Sequence, residues 1–148
     1  MTRHSAEWRT YGGEGLQVLN IFNSKRAQLI SRIKEKESCD AFVEAEIVEG
    51  IPLQIRAMQT ERGWTQEELG DRAGMKQSQI SQLEQRNYSG YTLRTLLRLA
   101  SAFDVGLQVS FVPISELVDK SLAMRYEDLA VPDFGNDAGL EPQYIRKS

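Results

Sequence analysis

The sequence predicts a mainly α domain with one short β-strand and extended terminal arms. Residues 66–85 have the pattern of two short helices joined by a tight turn. The stretch LRTLLRLASAF repeats apolar residues at helical spacing from Leu93 to Phe103, and Thr92 is suited to cap it. Residues 107–112 instead alternate apolar and polar side chains with a period of two, which is typical of a strand.

The helix pair begins and turns at residues suited to those positions. Thr65 and Glu68 have the spacing of a capping box, which starts a helix. Gly74 lies at the turn, where a positive φ costs glycine little, and Gly70 is small where the second helix crosses closely over the first. The positions expected to face inward are apolar: Leu69, Ala73, Met75, Ile80 and Leu83. Together these features indicate a helix-turn-helix.

The second helix, predicted at residues 76–85, has an outer face of small polar and basic side chains. Such side chains can read base edges in a major groove, since lysine donates to guanine and glutamine pairs with adenine. The predicted base contacts are Lys76, Gln77, Ser78 and Gln82. The pattern therefore predicts a protein that binds duplex DNA.

Other polar residues of this region are predicted to contact phosphate groups. Gln66 begins the first helix, where backbone N–H groups and the helix dipole favour an anion. The residues that follow the second helix are placed where the adjacent DNA backbone would pass. The predicted phosphate contacts are Gln66, Gln79, Ser81, Arg86, Asn87, Tyr88, Thr92 and Arg94.

The net charge of −3 is unusual for a protein that binds DNA, but the charge is unevenly distributed. Residues 56–98 hold seven basic and five acidic side chains, which is a net charge of +2. The acidic excess lies in residues 37–55 and 99–148. We therefore expect modest non-specific affinity for DNA and a clear dependence on salt.

Length and cysteine content predict one cytoplasmic domain with tails. A chain of 148 residues is long enough for one full domain. Cys39 is the single cysteine and cannot form an internal disulfide, which fits a reducing compartment. No apolar run approaches the roughly 18 residues of a membrane span, and residues 1–15 lack the apolar stretch of a signal peptide.

Catalysis and metal binding are not expected. His4 and Cys39 are the single residues of their types, so a nucleophile would lack a base and a metal site would need several carboxylates. We therefore predict no catalytic residue, no metal site and no cofactor, and a protein that is not an enzyme.

The N-terminal half of the chain has weaker patterns. Residues 1–15 are typical of a flexible arm, residues 16–22 of a strand, and residues 24–36 of a helix. Asp40 is suited to cap a helix through Glu49, and a further helix at residues 52–62 would end at Gly63. The predicted segments are an arm and helix at 1–38 and a DNA-binding domain with a dimerisation strand at 39–112.

The third predicted segment covers residues 113–148. Pro113 ends the strand, and Ser115 is suited to cap a short helix at residues 116–124. The remainder is acidic and rich in turn-forming residues, so an extended tail is expected.

The predicted strand needs a partner, because unpaired backbone donors and acceptors are costly when buried. One candidate is the same strand of a second subunit, which would build a homodimer through Leu107, Val109 and Phe111. The other candidate is residues 16–22 of the same chain.

Residues 52–104 resemble the Cro/repressor (Xre-type) helix-turn-helix domain. The resemblance rests on Gln66, Leu69, Ala73, Gly74, Ile80, Leu83 and Glu84, and on the following TLRTLLRLASAFDV. It implies a five-helix domain that binds operators as a dimer, with Gln66 at a phosphate and the outer face of the second helix at the bases.

The chain departs from the resembled family at two positions. Gly70 stands where alanine is usual, which should cost about 1 kcal/mol of helix propensity. Gln59 stands where an arginine often pairs with the glutamate that matches Glu84. Glu84 is therefore expected to use Arg56 or Arg62 instead.

Two functions follow as predictions. The first is a homodimeric transcriptional repressor that binds a palindromic operator through the helix at residues 76–85. The alternative is an antitoxin that neutralises a partner toxin through residues 1–38 or 113–148 and regulates its own operon. The two roles can coexist.

Overall fold

The computed structural model describes residues 4–144 and 146, with side chains from residue 15 onward. Its helices are α1 (His4–Arg32), α2 (Lys36–Val48), α3 (Gly50–Glu61), α4 (Gln66–Ala73), α5 (Gln77–Leu83), α6 (Leu93–Phe103) and α7 (Ile114–Ala123). Single 3-10 turns follow at Tyr126–Asp128, Phe134–Asn136 and Pro142–Tyr144. The prediction of a mainly α fold is confirmed, and no helix of the described chain is long and apolar enough to cross a membrane.

The helices form two compact units that do not follow the order of the chain. One unit contains the chain up to Phe42 together with Val112–Met124, and the other contains Val43–Phe111 together with the chain from Arg125 onward. In the first unit α1 packs on α7, where Val118 and Ile33 are buried. Arg26 of α1 forms an ion pair with Asp119 of α7 at 2.6 Å.

The second unit is built around the predicted helix pair. Its buried core consists of Ile55, Met58, Leu69, Ala73, Ile80, Leu83, Leu99 and Phe103. The positions expected to face inward from α4 and α5 are in this core, except that Met75 of the turn is only half-buried. Leu69 and Ile80 have no exposed surface, so burial holds the two helices against each other and turns their polar faces outward.

Local signals that end or begin helices are confirmed in this unit. Thr65 accepts a hydrogen bond from the Glu68 backbone, and Glu68 accepts one from the Thr65 backbone, which completes the capping box. Gly74 ends α4 with φ 65° and ψ 36°, in the left-handed region. Thr92 caps α6 by accepting a hydrogen bond from the Thr95 backbone, and α6 has its predicted bounds.

The prediction of a strand at residues 16–22 is wrong, because this segment lies inside α1. Its apolar residues recur three apart, at Leu16, Leu19 and Phe22, and this spacing fits a helix better than an alternating strand. The backbone is also helical from His4, so the prediction of a flexible arm is wrong from that residue onward. Residues 1–3 of that arm lie outside the described residues.

Two predicted helix caps are also wrong. The helix assigned to Asp40 begins four residues earlier, at Lys36, and the two side chains form an ion pair along one face of α2. The helix assigned to Ser115 begins at Ile114, with Pro113 as its N-cap residue. Pro113 has a non-helical backbone, with φ −58° and ψ 146°, so α7 begins one residue before Ser115.

Residues 107–112 do not form a strand within the described chain, and none of their backbone groups bonds to another described residue. The reason is the absence of a partner, because residues 16–22 are helical and present no strand edge. Pairing with a second subunit stays a prediction.

The C-terminal segment is not an extended tail. Leu129 is buried, and Val131 packs against the core of the second unit. The Phe134 backbone donates a hydrogen bond to the Asp104 carbonyl at 3.0 Å, and Arg146 forms an ion pair with the Asp104 carboxylate at 2.6 Å. Apolar residues inside the acidic sequence therefore dock this segment on the same unit as α4 and α5.

Candidate nucleic-acid interface

The outer face of α5 is exposed and polar. The helix covers Gln77–Leu83, shorter at both ends than the predicted residues 76–85, and Lys76 is its N-cap residue. Each predicted base contact is exposed: Lys76, Gln77, Ser78 and Gln82. Burial of Ile80 and Leu83 on the opposite side fixes which face of α5 points to solvent.

A chain of hydrogen bonds connects α5 to a buried carboxylate. Gln77 donates from its amide nitrogen to the Gln66 amide oxygen at 2.7 Å. Gln66 in turn donates from its amide nitrogen to Oε2 of Glu84 at 2.8 Å. Glu84 is 6% exposed and is the buried charged residue of the described chain.

This chain of bonds has a fixed direction. An ionised carboxylate can only accept, so Gln66 must turn its NH₂ group to Glu84 and its oxygen to Gln77. Gln77 must then turn its NH₂ group to Gln66, which leaves its own oxygen and its second N–H for a ligand. Glu84 thus sets which amide edge of Gln77 a base would meet.

A family comparison identifies the domain that contains α4 and α5. The family model described as helix-turn-helix matches residues 55–109, from α3 to the segment after α6. Residues 55–109 form a helix-turn-helix domain of the Cro/C1 type. Comparison of the whole chain with curated proteins and with solved structures yields no significant match.

Several predicted phosphate contacts of the helix-turn-helix domain already have partners in the protein. The Gln79 amide oxygen accepts a hydrogen bond from the Lys76 backbone at 3.0 Å. The Thr92 hydroxyl is occupied in capping α6, and the Tyr88 hydroxyl donates to the Gly90 carbonyl at 3.3 Å. Arg86, Asn87 and Arg94 are exposed, whereas Ser81 and Gln66 are half-buried.

Three arginines of the helix-turn-helix domain bind helix ends. Arg98 donates to the carbonyls of Ala73 and Gly74 at the end of α4, the first of these at 3.0 Å. Arg56 donates to the Glu84 carbonyl at 3.2 Å, after α5. Arg62 donates to the carbonyls of Phe103 and Val131, at 3.0 and 3.3 Å. Except at Val131, these guanidinium groups bind carbonyls at or just after the end of a helix, where no intrahelical partner is available.

The expected ion pair of Glu84 with Arg56 or Arg62 is therefore wrong. Arg56 binds the backbone carbonyl of Glu84, and the Glu84 side chain is bound by Gln66 instead. Oε1 of Glu84 and Oε1 of Gln59 are both buried without a hydrogen-bond partner.

The basic side chains left for DNA are fewer than the sequence suggests. Lys76, Arg86 and Arg94 are exposed and form no ion pair with any described residue. Arg72 lies over the ring of Trp64, with its guanidinium carbon 4.1 Å from the ring centroid. The positive face of the domain thus depends on three side chains around α5 and the start of α6.

Tyr91 supports the end of α5. Its hydroxyl donates to the Leu83 carbonyl, and its ring meets Tyr88 edge-on at 5.2 Å between centroids. Burial raises the pKa of Tyr91 to about 12, with smaller contributions from Tyr88 and Glu84. The sequence NYSGY predicts a turn here, but no pattern in it predicts the contact between Tyr91 and the end of α5.

Proposed function

We propose that the chain is a cytoplasmic transcriptional regulator that binds DNA sequence-specifically as a homodimer and represses from a palindromic operator. The observation that carries this proposal is the Glu84–Gln66–Gln77 chain of hydrogen bonds, which presents an oriented amide on the exposed face of α5. A purely structural helix pair has no need to orient a solvent-facing glutamine from a buried carboxylate.

Base recognition would use four side chains of this face. The free oxygen and N–H of Gln77 match the N6 donor and N7 acceptor of adenine. Lys76 can donate to guanine O6 and N7, while Ser78 and Gln82 can contact neighbouring bases. Phosphate contacts would come from Arg86, Arg94 and the other exposed polar groups around α5 and α6.

A dimer would set the length of the operator. Two-fold related helices of this type enter successive major grooves about 34 Å apart, and the operator is then a near-palindrome. The proposed interface is Leu107, Val109 and Phe111, which are 38%, 71% and 108% exposed in the single chain. Val109→Asp should therefore yield monomers by light scattering, and an unchanged dimer mass would move the interface elsewhere.

The decisive experiment is a gel-shift titration of the DNA upstream of its own gene, with competitor DNA, at two salt concentrations. Gln77→Ala should weaken cognate binding by about 1–3 kcal/mol and leave binding to random DNA nearly unchanged. Gln85→Ala, at an exposed residue outside the predicted contacts, is the matched control. Equal losses on cognate and random DNA would contradict a base-reading role for Gln77.

A second candidate function, the antitoxin, is favoured by the surface of α1. Leu16, Val18, Leu19 and Ile21 are all exposed within two turns of this helix. Exposed apolar groups at this density are typical of a surface that binds another protein. The docked C-terminal segment makes residues 1–38 the better of the two predicted partner regions.

The antitoxin role is tested by co-expression with the product of the neighbouring gene. Leu16→Asp with Leu19→Asp should abolish co-purification and leave the operator gel shift intact. Co-purification that survives both substitutions, or a neighbouring product that never co-purifies, would remove α1 as a toxin-binding surface.

A further inference from the structure

The segment at residues 107–111, which follows the last core helix of the helix-turn-helix domain, is exposed and unpaired. Its apolar residues alternate, and the side chain of Phe111 is entirely exposed. None of its backbone groups bonds to another described residue. Such a row of free N–H and C=O groups is a template for pairing with another strand.

An apolar pocket lies at the beginning of this segment. It has a volume of about 150 Å³ and is lined by α3, α6 and the residues after α6. Its lining includes Ile51, Met58, Leu96, Phe103, Leu107 and Val131. Dry apolar cavities of about this volume accept a benzene molecule in other proteins. The pocket therefore has the size and chemistry for one phenyl ring.

We propose that Phe111 of a second copy of this chain fills this pocket, and that the exchange is reciprocal. The 107–111 segments of the two copies would pair antiparallel about a two-fold axis at Val109. This inference rests on the homodimer of the proposed function and adds its register and its central contact.

The register follows from symmetry. In an antiparallel pair centred on Val109, Phe111 lies directly opposite Leu107 of the other copy, with Cβ atoms about 4.5–5.5 Å apart. Leu107 is itself a lining residue of the pocket, so the pairing places each Phe111 ring at the other copy's pocket. The same register sets Gln108 opposite Ser110, so polar residues share the outer face.

The surroundings suit a permanent interface between two copies. From Leu99 to Pro113 the one ionisable side chain with a charge at neutral pH is Asp104, so little charge would be desolvated. Leu93 and Leu97, one turn apart on α6, are also more than half exposed. Two buried phenyl rings remove about 300–500 Å² of surface from water, and the paired segments with Leu93 and Leu97 would supply the remainder of the roughly 1,200–2,000 Å² of a stable interface.

The register is tested by cysteine cross-linking of the full-length chain with Cys39→Ser. Val109→Cys should form a disulfide-linked dimer under mild oxidation, because the two side chains face each other across the axis. Gln108→Cys is the matched control, since its two copies would be offset by two residues, about 7 Å, and a disulfide needs Cβ atoms about 3.5–4.5 Å apart. Equal cross-linking of both variants, or none at Val109→Cys, would overturn the proposal.

The pocket is tested separately. Phe111→Asp should give monomers by light scattering, whereas Phe111→Leu should keep the dimer with a dissociation constant raised at least tenfold. Ala100→Leu fills the pocket from α6 and leaves the sequence of the 107–111 segment unchanged. It should weaken the dimer to a similar degree, while circular dichroism shows a folded domain. A dimer unaffected by Ala100→Leu would overturn the phenyl exchange.

These outcomes are distinguishable from failure of the proposed function. A dimer that cross-links at Val109→Cys but shifts no operator DNA supports this inference and contradicts the regulator. An operator-binding dimer that never cross-links there supports the regulator and contradicts this inference.

Discussion

At the residue scale, identical side chains of the helix-turn-helix domain have different tasks. Arg98 and Arg94 lie four residues apart on α6, but Arg98 binds the end of α4 and Arg94 faces solvent. A count of basic residues treats them as equal. Their partners decide which one supports folding and which one is free for phosphate.

Arg98→Ala should lower the free energy of unfolding by about 1–2 kcal/mol, because the carbonyls of Ala73 and Gly74 lose a charged donor. Chemical denaturation measures the effect. Arg94→Ala is the control and should change stability by less than about 0.5 kcal/mol, while weakening binding to any DNA sequence. A loss of stability in Arg94→Ala but not in Arg98→Ala would contradict these two roles.

Tyr91 predicts an alkaline loss of stability. Its pKa is about 12 in the folded chain, against about 10 when unfolded, so the unfolded state releases the proton first. The stabilising contribution is therefore complete below pH 10 and declines as the pH rises toward 12. Tyr91→Phe should remove this decline from the pH dependence of chemical denaturation. An unchanged profile would show that Tyr91 does not cause it.

At the element scale, the crossing of α4 and α5 depends on Gly70. A Cβ at this position would lie 2.6 Å from the Met75 carbonyl oxygen, and this backbone atom cannot move without shifting the turn. The Met75 backbone also donates to the Gly70 carbonyl at 2.8 Å, which holds the turn against α4. Gly70, where the resembled family usually has alanine, therefore allows the turn at Met75 to lie close to α4.

Gly70→Ala should lower the melting temperature, although alanine is the better helix former by about 1 kcal/mol. The clash with the turn is expected to exceed that gain. Gly50→Ala is the matched control, because a Cβ there meets nothing within 4 Å and the first turn of α3 gains helix propensity. A Gly70→Ala variant as stable as Gly50→Ala would mean that the turn relaxes freely.

At the scale of the whole molecule, the net charge of the chain differs from the positive charge that is available to bind DNA. The chain has a net charge of −3, and three arginines of the helix-turn-helix domain are bound to carbonyls. The docked C-terminal segment brings further acidic residues onto the unit that carries α5. Affinity for random DNA should consequently be low, and specificity should depend on the bases.

The salt dependence of random-DNA binding measures this free charge. With Lys76, Arg86 and Arg94 of each subunit bound to DNA, a dimer neutralises about six phosphates, which predicts a slope of about −5 for log K against log salt. Fluorescence anisotropy with a random duplex over a series of salt concentrations gives the slope. A slope near −10 would indicate that Arg56, Arg62 and Arg98 leave their carbonyls and bind DNA.

The sequence-based prediction succeeds where a signal is local and fails where an apolar run has two interpretations. The capping box at Thr65 and the turn at Gly74 are confirmed because each is formed by residues a few positions apart. The prediction of a strand at residues 16–22 fails because seven residues of mixed pattern fit either period. The prediction of an extended C-terminal tail fails because it rests on the acidic composition of the segment, whereas Leu129 and Val131 are the residues that pack.

Local sequence signals are sufficient to predict the helix-turn-helix and its polar outer face. Caps, the left-handed turn and the apolar positions act over one or two turns of chain, so their pattern can be read directly. Which polar groups are occupied by hydrogen bonds within the protein depends instead on tertiary packing. Gln66 and Glu84 are 18 positions apart, Arg98 and Ala73 25, and Arg62 and Val131 69. Such hydrogen bonds exist only after packing has brought distant segments together, so no local pattern encodes them.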